Sequence, residues 1–226
     1  MQKHSDIQAR NLLFFGKSNM EKISKATILV AGVGGLGCVV SEILVRLGVK
    51  KLVIVDNGII DEPDLGRQAL YTIKDIGKKK VDAAREVLTN MSGLTEIEAI
   101  FEPISNLKMS KIHSCECVVD CLDNFKSRFE LEEKLKQGQV LIHGGIQNDF
   151  GQLTTIIKGE TPSLENIYAN IKEEETIPVS TPIVFAVASL MAQEVINNIL
   201  GSPQLIGNLL IVELNDFTFT KIKLKG

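Results

Sequence analysis

Six residues, Gly32-Val-Gly-Gly-Leu-Gly37, constrain this chain more than any others. An apolar run, Thr27-Ile-Leu-Val-Ala31, precedes them, and a helical pattern opens at Leu36. A second apolar run, Lys51-Leu-Val-Ile-Val55, then ends on Asp56, about 20 residues on. Strand, glycine turn, helix, strand and acid in that order describe a dinucleotide-type phosphate site. Glycines at 32, 34, 35 and 37 let backbone N–H groups approach phosphate oxygens. The helix N-terminus adds unpaired N–H groups and a positive dipole, and a carboxylate at 56 accepts from ribose hydroxyls. A glycine turn alone also serves as a plain link between strand and helix, so the flanking pattern carries the argument.

The rest of the chain repeats the alternation. Strand patterns fall at 26–31, 51–56, 96–101, 116–120 and 139–143, with helices at 35–47, 79–91 and 125–137. Strands this rich in Val, Ile and Leu belong to a parallel sheet covered on both faces. After Gly144-Gly145 the style changes: a strand at 151–157, then 158–180 with little periodicity and the acidic run Glu173–Glu175. That stretch is read as a mobile crossover-type loop. Thr181-Pro182 opens a long helix, with Thr181 as its N-cap, and Gly201 closes it. Asn208–Leu214 and Phe217–Leu224 form an added hairpin. The expected architecture is a single 1–226 α/β domain. Its Rossmann-like, mostly parallel sheet carries helices on both faces and antiparallel C-terminal strands, and residues 1–25 precede it as a helical arm with a turn at Gly16-Lys17-Ser18.

At 226 residues, with 44% apolar and 23% charged side chains, one globular domain suffices. A net charge of −3 argues against a broad nucleic-acid or membrane footprint. The apolar stretch around Pro182–Ala192 is too short to span a bilayer. Without an apolar leader pattern, the protein is expected in the cytoplasm. Cys38, Cys115, Cys117 and Cys121 form no paired spacing for metal; Cys115, Cys117 and Cys121 share parity on a predicted strand and should be buried on one face. His4, His113 and His143 are scattered.

A dehydrogenase and an ATP-using enzyme share everything up to Asp56. A triphosphate carries about four negative charges and calls for several cations and a carboxylate-held metal. The chain offers Arg67-Gln68, Lys80 after Gly77-Lys78-Lys79, and Asp120-Cys-Leu-Asp123-Asn124 at a strand end. Each also has a plain reading as a solvated helix start or surface ion pair.

Taken in order, Arg10, the 32–38 loop, Val55-Asp56, Gly66-Arg67-Gln68, Gly77–Val81, Asp120–Asn124 and Gly151-Gln152 resemble the MoeB/ThiF/HesA family, bacterial relatives of ubiquitin-activating enzymes. The resemblance implies ATP-dependent adenylation of the C-terminal Gly-Gly carboxylate of a ubiquitin-like sulfur-carrier protein. It implies that Asp56 holds the ribose, that Arg67, Gln68 and Lys80 contact phosphates, and that Asp123 binds Mg²⁺. Arg10 would reach into a second subunit's site, which implies a homodimer. The chain departs from the family at three points. The stretches that carry zinc-binding Cys-x-x-Cys pairs, Pro162–Asn170 and the C-terminus, have no cysteine, so no zinc is expected. Asp64 stands where a phosphate-side Asn is usual, and a carboxylate there repels a triphosphate unless a cation compensates. Residues 172–181 lack the cysteine used for thioester or persulfide chemistry. Two rivals are a nucleotide-binding partner protein without adenylation activity and an NAD(P)-dependent oxidoreductase.

Overall fold

The computed structural model describes residues 7–169 and 178–224. In chain order the elements are α1 (Ala9–Ile23), β1 (Thr27–Ala31), α2 (Gly35–Leu47), β2 (Lys51–Val55), α3 (Lys80–Ser92), β3 (Glu96–Ile100), α4 (Met109–His113) and β4 (Cys117–Asp120). There follow α5 (Phe125–Glu133), β5 (Val140–Gln147), β6 (Phe150–Ile157), α6 (Leu164–Ile167), α7 (Thr181–Leu200), β7 (Asn208–Glu213) and β8 (Thr218–Lys223). The eight strands form one sheet in the order β3-β2-β1-β4-β5-β6-β7-β8. Neighbours from β3 to β5 run parallel; β5–β6, β6–β7 and β7–β8 are antiparallel. This is the expected sheet, mostly parallel with antiparallel C-terminal strands and helices on both faces.

Alternation along β1 explains the two layers. Ile28 and Val30 enter one core with residues of α2, α3 and α7, while Leu29 and Ala31 enter the other with residues of α4, α5 and α6. Both faces are buried, so the strand reads as a continuous apolar run. Strand order turns at β1/β4: from β1 the chain winds outward through β2 and β3, then returns to the other side. A crevice opens there, beyond the carboxyl ends of the strands. By length and composition α7 is apolar enough to cross a membrane, yet half of it is buried, against α2 and the β4–β6 strands.

Several expectations are corrected. The strand predicted to stop at His143 continues to Gln147 and pairs with β6 through Gly144↔Leu153 and Ile146↔Gly151. The helix predicted over 125–137 ends at Glu133, where the chain turns toward Gly138 at φ 74°. The turn expected at Gly16-Lys17-Ser18 is a single non-helical residue, Gly16 (φ 76°, ψ 163°), at which α1 kinks. Ser180, not Thr181, stands at the N-cap position of α7, with no side-chain capping bond; Thr181 Oγ1 donates to the Gly66 carbonyl at 2.7 Å. Cys115 precedes β4 and packs in the core opposite Cys117 and Cys121, because the chain is still turning out of α4 at Ser114. All four cysteines are buried, as expected. Within the expected loop 158–180, Ser163 caps α6 by accepting from Asn166 N at 3.2 Å, and Leu164 is buried beneath Glu132. Residues 170–177, including Glu173–Glu175, lie outside the described residues, as does His4.

Candidate functional site

The glycine turn closes a tight passage between β1 and α2. Gly32 has φ +87°, and a Cβ there would sit 2.7 Å from the Cys121 carbonyl oxygen. A Cβ on Gly37 would lie 1.9 Å from the Gly32 carbonyl oxygen. Only glycine fits at either position. Gly34 precedes the first helical residue, Gly35, so the free N–H groups of α2 face the crevice. Tyr71 holds the turn from outside by donating its hydroxyl to Val33 O at 2.7 Å.

Asp56 follows β2 and accepts from Val33 N at 2.7 Å and Gly58 N at 2.6 Å. Each carboxylate oxygen thus uses one acceptor position and keeps another. Gly58 leaves room for the Lys80 side chain, whose Cδ is 3.2 Å from where a Cβ would stand. Lys80 begins α3 and turns its Nζ to Asp64 Oδ2 at 3.0 Å. Asp64 sits in a short 3₁₀ turn, Glu62–Gly66, and is only 4% exposed. Arg67 Nη2 lies 3.4 Å from Asp64 Oδ1, and Gln68 Nε2 donates to the same oxygen. Burial alone would raise the Asp64 pKa, but the bond to Lys80 and the Asp61 backbone N–H hold it below the usual carboxylate value. The compensating cation that Asp64 requires is therefore present. Gln68 Oε1, by contrast, is buried with no donor among the described residues.

Across the crevice, β4 ends at Asp120, and Asp123 follows as an exposed carboxylate. The Asn124 side chain caps α5 by accepting from Ser127 N at 2.9 Å and donates to Asp123 Oδ1 at 3.1 Å. Behind Asp123 lies a polar network that the sequence reading missed. Asp120 is fully buried; its Oδ1 accepts from Leu122 N at 3.0 Å and its Oδ2 is 2.7 Å from His143 Nδ1. Arg128 Nη1 donates to Gly144 O at 2.7 Å and lies 3.5 Å from Asp120, while its Nη2 donates to Leu122 O. His143 Nε2 meets the Tyr168 hydroxyl at 2.8 Å. An ionised Asp120 only accepts, so Nδ1 carries the imidazole proton and the Tyr168 hydroxyl donates to Nε2. Burial and then the Arg128 charge hold the His143 pKa below its ordinary value, against the pull of Asp120. Arg128 one turn into the helix after a strand-end acid was the available signal. For His143 and Tyr168 the sequence offered none.

These elements enclose a crevice of about 880 Å³, lined by Gly32, Gly34, Gly35, Asp56, Asp64, Arg67, Gln68, Lys80, Asp123 and Arg128 among others. Gly37 stands behind the turn as a packing position. Arg10 lies exposed on α1 and is not among the lining residues of its own chain. Glu102 and Ile104, from the connection after β3, complete one wall. For a divalent cation the fit is at Asp123, an exposed carboxylate whose Asn124 contact leaves acceptor positions open. Among the described residues no group of three or more His, Cys, Asp or Glu could hold a metal by itself.

A glycine turn at the switch point of a mostly parallel sheet, with cations and a strand-end carboxylate around one crevice, defines a nucleotide-binding α/β protein. Residues 8–226 match the ThiF family, and the chain belongs to it. The heterocyst HesA protein of Trichormus variabilis is 32% identical over 93% of this chain and 80% of its own length. The sulfur carrier protein adenylyltransferase of Thermus thermophilus is 28% identical over 93% of this chain and 83% of its own. Among solved structures, E. coli MccB with ATP superposes at a TM-score of 0.80, covering 97% of this chain and 72% of MccB at 21% identity, which bears on the fold.

Proposed function

We propose that this protein is an ATP-dependent adenylating enzyme. Its substrate is the C-terminal Gly-Gly carboxylate of a ubiquitin-like sulfur-carrier protein, and it acts in the cytoplasm as a zinc-free homodimer without a catalytic cysteine. The convergence of the glycine turn, Arg67, Lys80 and Asp123 on one crevice at the sheet's switch point carries this reading. Relatives named for adenylyl transfer to sulfur carriers support the reaction class. In the proposed roles, the backbone N–H groups of Gly34 and Gly35 meet phosphate oxygens, since those of Gly32 and Val33 already donate to Val55 O and Asp56, and Asp56 uses its remaining acceptor positions on the ribose. Arg67, Gln68 and Lys80 meet the phosphates. Asp123 would hold Mg²⁺, which supplies charge neutralisation along the triphosphate. A carboxylate oxygen of the carrier attacks the α-phosphorus, the bond from that phosphorus to the bridging oxygen breaks, and pyrophosphate leaves with the electron pair. The nucleophile is already an anion, so no base is required, and catalysis consists of positioning plus charge stabilisation. Arg10, which is exposed and does not line its own crevice, would serve the site of a second copy.

Exchange of labelled pyrophosphate into ATP, dependent on a Gly-Gly-ended carrier, tests the reading. Arg67→Ala and Lys80→Ala should each lower exchange by about 10²–10³, the scale for losing a cation aimed at developing charge. Near-normal exchange in both variants refutes the assigned roles. Asp64 favours one alternative, a nucleotide-binding partner protein without the chemistry, which would bind ATP and exchange no pyrophosphate. Binding of NAD(P)H in place of ATP would mark an oxidoreductase.

A further inference from the structure

All three side chains read as phosphate contacts are engaged by one carboxylate. Lys80 Nζ stands 3.0 Å from Asp64 Oδ2, Arg67 Nη2 stands 3.4 Å from Oδ1, and Gln68 Nε2 donates to Oδ1. The third cation of the lining, Arg128, is committed to buried Asp120. Among the described residues no ion pair reaches the remaining lining carboxylates, Asp56, Glu102 and Asp123. A polyanion entering the crevice therefore meets cations that are already neutralised and carboxylates that are not.

The fold does not demand this charge. Asp64 completes the capping arrangement of its 3₁₀ turn by accepting from Asp61 N at 3.2 Å, and an amide oxygen accepts equally well. The negative charge at 64 acts on the crevice rather than on the turn.

We propose that Asp64 is an internal competitor for the phosphate-binding side chains, and that it makes the site select the divalent-cation complex of a nucleoside triphosphate over the metal-free triphosphate. The proposal rests on the nucleotide reading above and adds a specificity determinant to it. Repulsion from Asp64 scales with the charge on the ligand, and a bound divalent cation removes about half of ATP's four negative charges.

Titration calorimetry of the whole chain tests this, with ATP in chelator and ATP in excess Mg²⁺, for the natural protein and for Asp64→Asn. The natural protein should bind the Mg²⁺ complex more tightly than metal-free ATP. In Asp64→Asn that difference should shrink by at least about tenfold, chiefly through tighter metal-free binding, the scale for removing a unit charge within a Debye length of the phosphates. An equal difference in both proteins overturns the proposal and leaves the nucleotide reading standing. Equal weakening of both ligand forms in the variant also overturns it, since Asp64 would then serve only to position Lys80 and Arg67. No binding of either form by either protein refutes the nucleotide reading and the proposal together. Asp64→Ser, neutral and smaller, takes the place of the Asn variant if the latter does not fold.

Discussion

Replacing Arg128 with methionine isolates the buried charge network behind the candidate metal carboxylate. Methionine keeps an unbranched stem of similar reach and removes the guanidinium. Asp120 is fully buried and its acceptor positions are met by Leu122 N, His143 and the Arg128 charge, so the substitution leaves a buried carboxylate short of its cation. Breaking a buried pair from one side costs about 3–5 kcal/mol, against a total stability of about 5–15 kcal/mol. For a chain of this size that is a drop of roughly 6–20 °C in Tm. The carbonyls of Leu122 and Gly144 also lose their donors, which loosens the turn that carries Asp123.

The pH dependence separates a charge effect from a packing effect. His143 has a folded pKa below its ordinary value of 6.5, so the unfolded chain binds more protons as the pH falls through that value. Its contribution is present above pH 6.5 and declines below it, by at most about 1.4 kcal/mol per pH unit. Asp120, also held low, adds its own loss only near and below the carboxylate range. Without Arg128, burial still opposes protonation of His143, but the neighbouring cation is gone and Asp120 still attracts the proton. The His143 pKa should rise, and an imidazolium can then replace the lost guanidinium beside Asp120. Denaturant melts at pH 7.5 and 5.5 should therefore show the gap between the two proteins narrowing by about 1 kcal/mol on acidification. Comparing the proteins at each pH cancels the groups remote from the network. A loss under 1 kcal/mol at pH 7.5, or a gap that stays constant or widens on acidification, refutes the charge account.

Gly37→Ala should fail to give soluble folded protein, because its Cβ would lie 1.9 Å from a backbone oxygen, whereas the nearest atom to a Cβ on Gly34 is 3.8 Å away and Gly34→Ala should keep its melting temperature within a few degrees. Comparative melts decide it. Asp123→Ala should melt like the natural protein, since Asp123 is exposed, yet lose pyrophosphate exchange and its steep dependence on Mg²⁺; an unaltered Mg²⁺ profile would move the metal to another carboxylate. Incubation with ATP and a Gly-Gly-ended carrier should yield no thiol-sensitive adduct by mass spectrometry. All four thiols are buried, and burial pushes Cys38, beside the glycine turn, up to about 12. An adduct lost on mutating any one cysteine would show that the enzyme carries the acyl group itself.

The features legible in the sequence were those whose chemistry is local. Gly32, Gly37 and Asp56 act through backbone positions fixed by a strand–turn–helix that every residue from 27 to 56 helps to specify. The same locality misled at Gly144-Gly145, where the strand was expected to have stopped at His143. They lie inside β5, and a Cβ on Gly144 would stand 2.2 Å from Met191 Sδ, so that glycine is there to admit α7. The Cys115 parity failed for a related reason: period-two alternation applies only where the chain is extended, and the strand begins at Cys117.

Contacts between side chains far apart in the chain were not legible at all. His143 reaches Asp120 across 23 residues and Tyr168 across 25, through strand pairing and helix packing that no short window encodes. Asp64 falls between these cases. Its charge was visible beside Arg67, and the need for a compensating cation followed from electrostatics alone. What had to be seen in three dimensions is that the compensating cations are the phosphate-side residues themselves. Arg67 lies one turn along the same 3₁₀ segment, and Lys80 arrives from the start of α3 through the space that Gly58 leaves open. A carboxylate that satisfies its own burial with those two cations turns a question about whether the pocket holds a triphosphate into one about the charge state in which it accepts it.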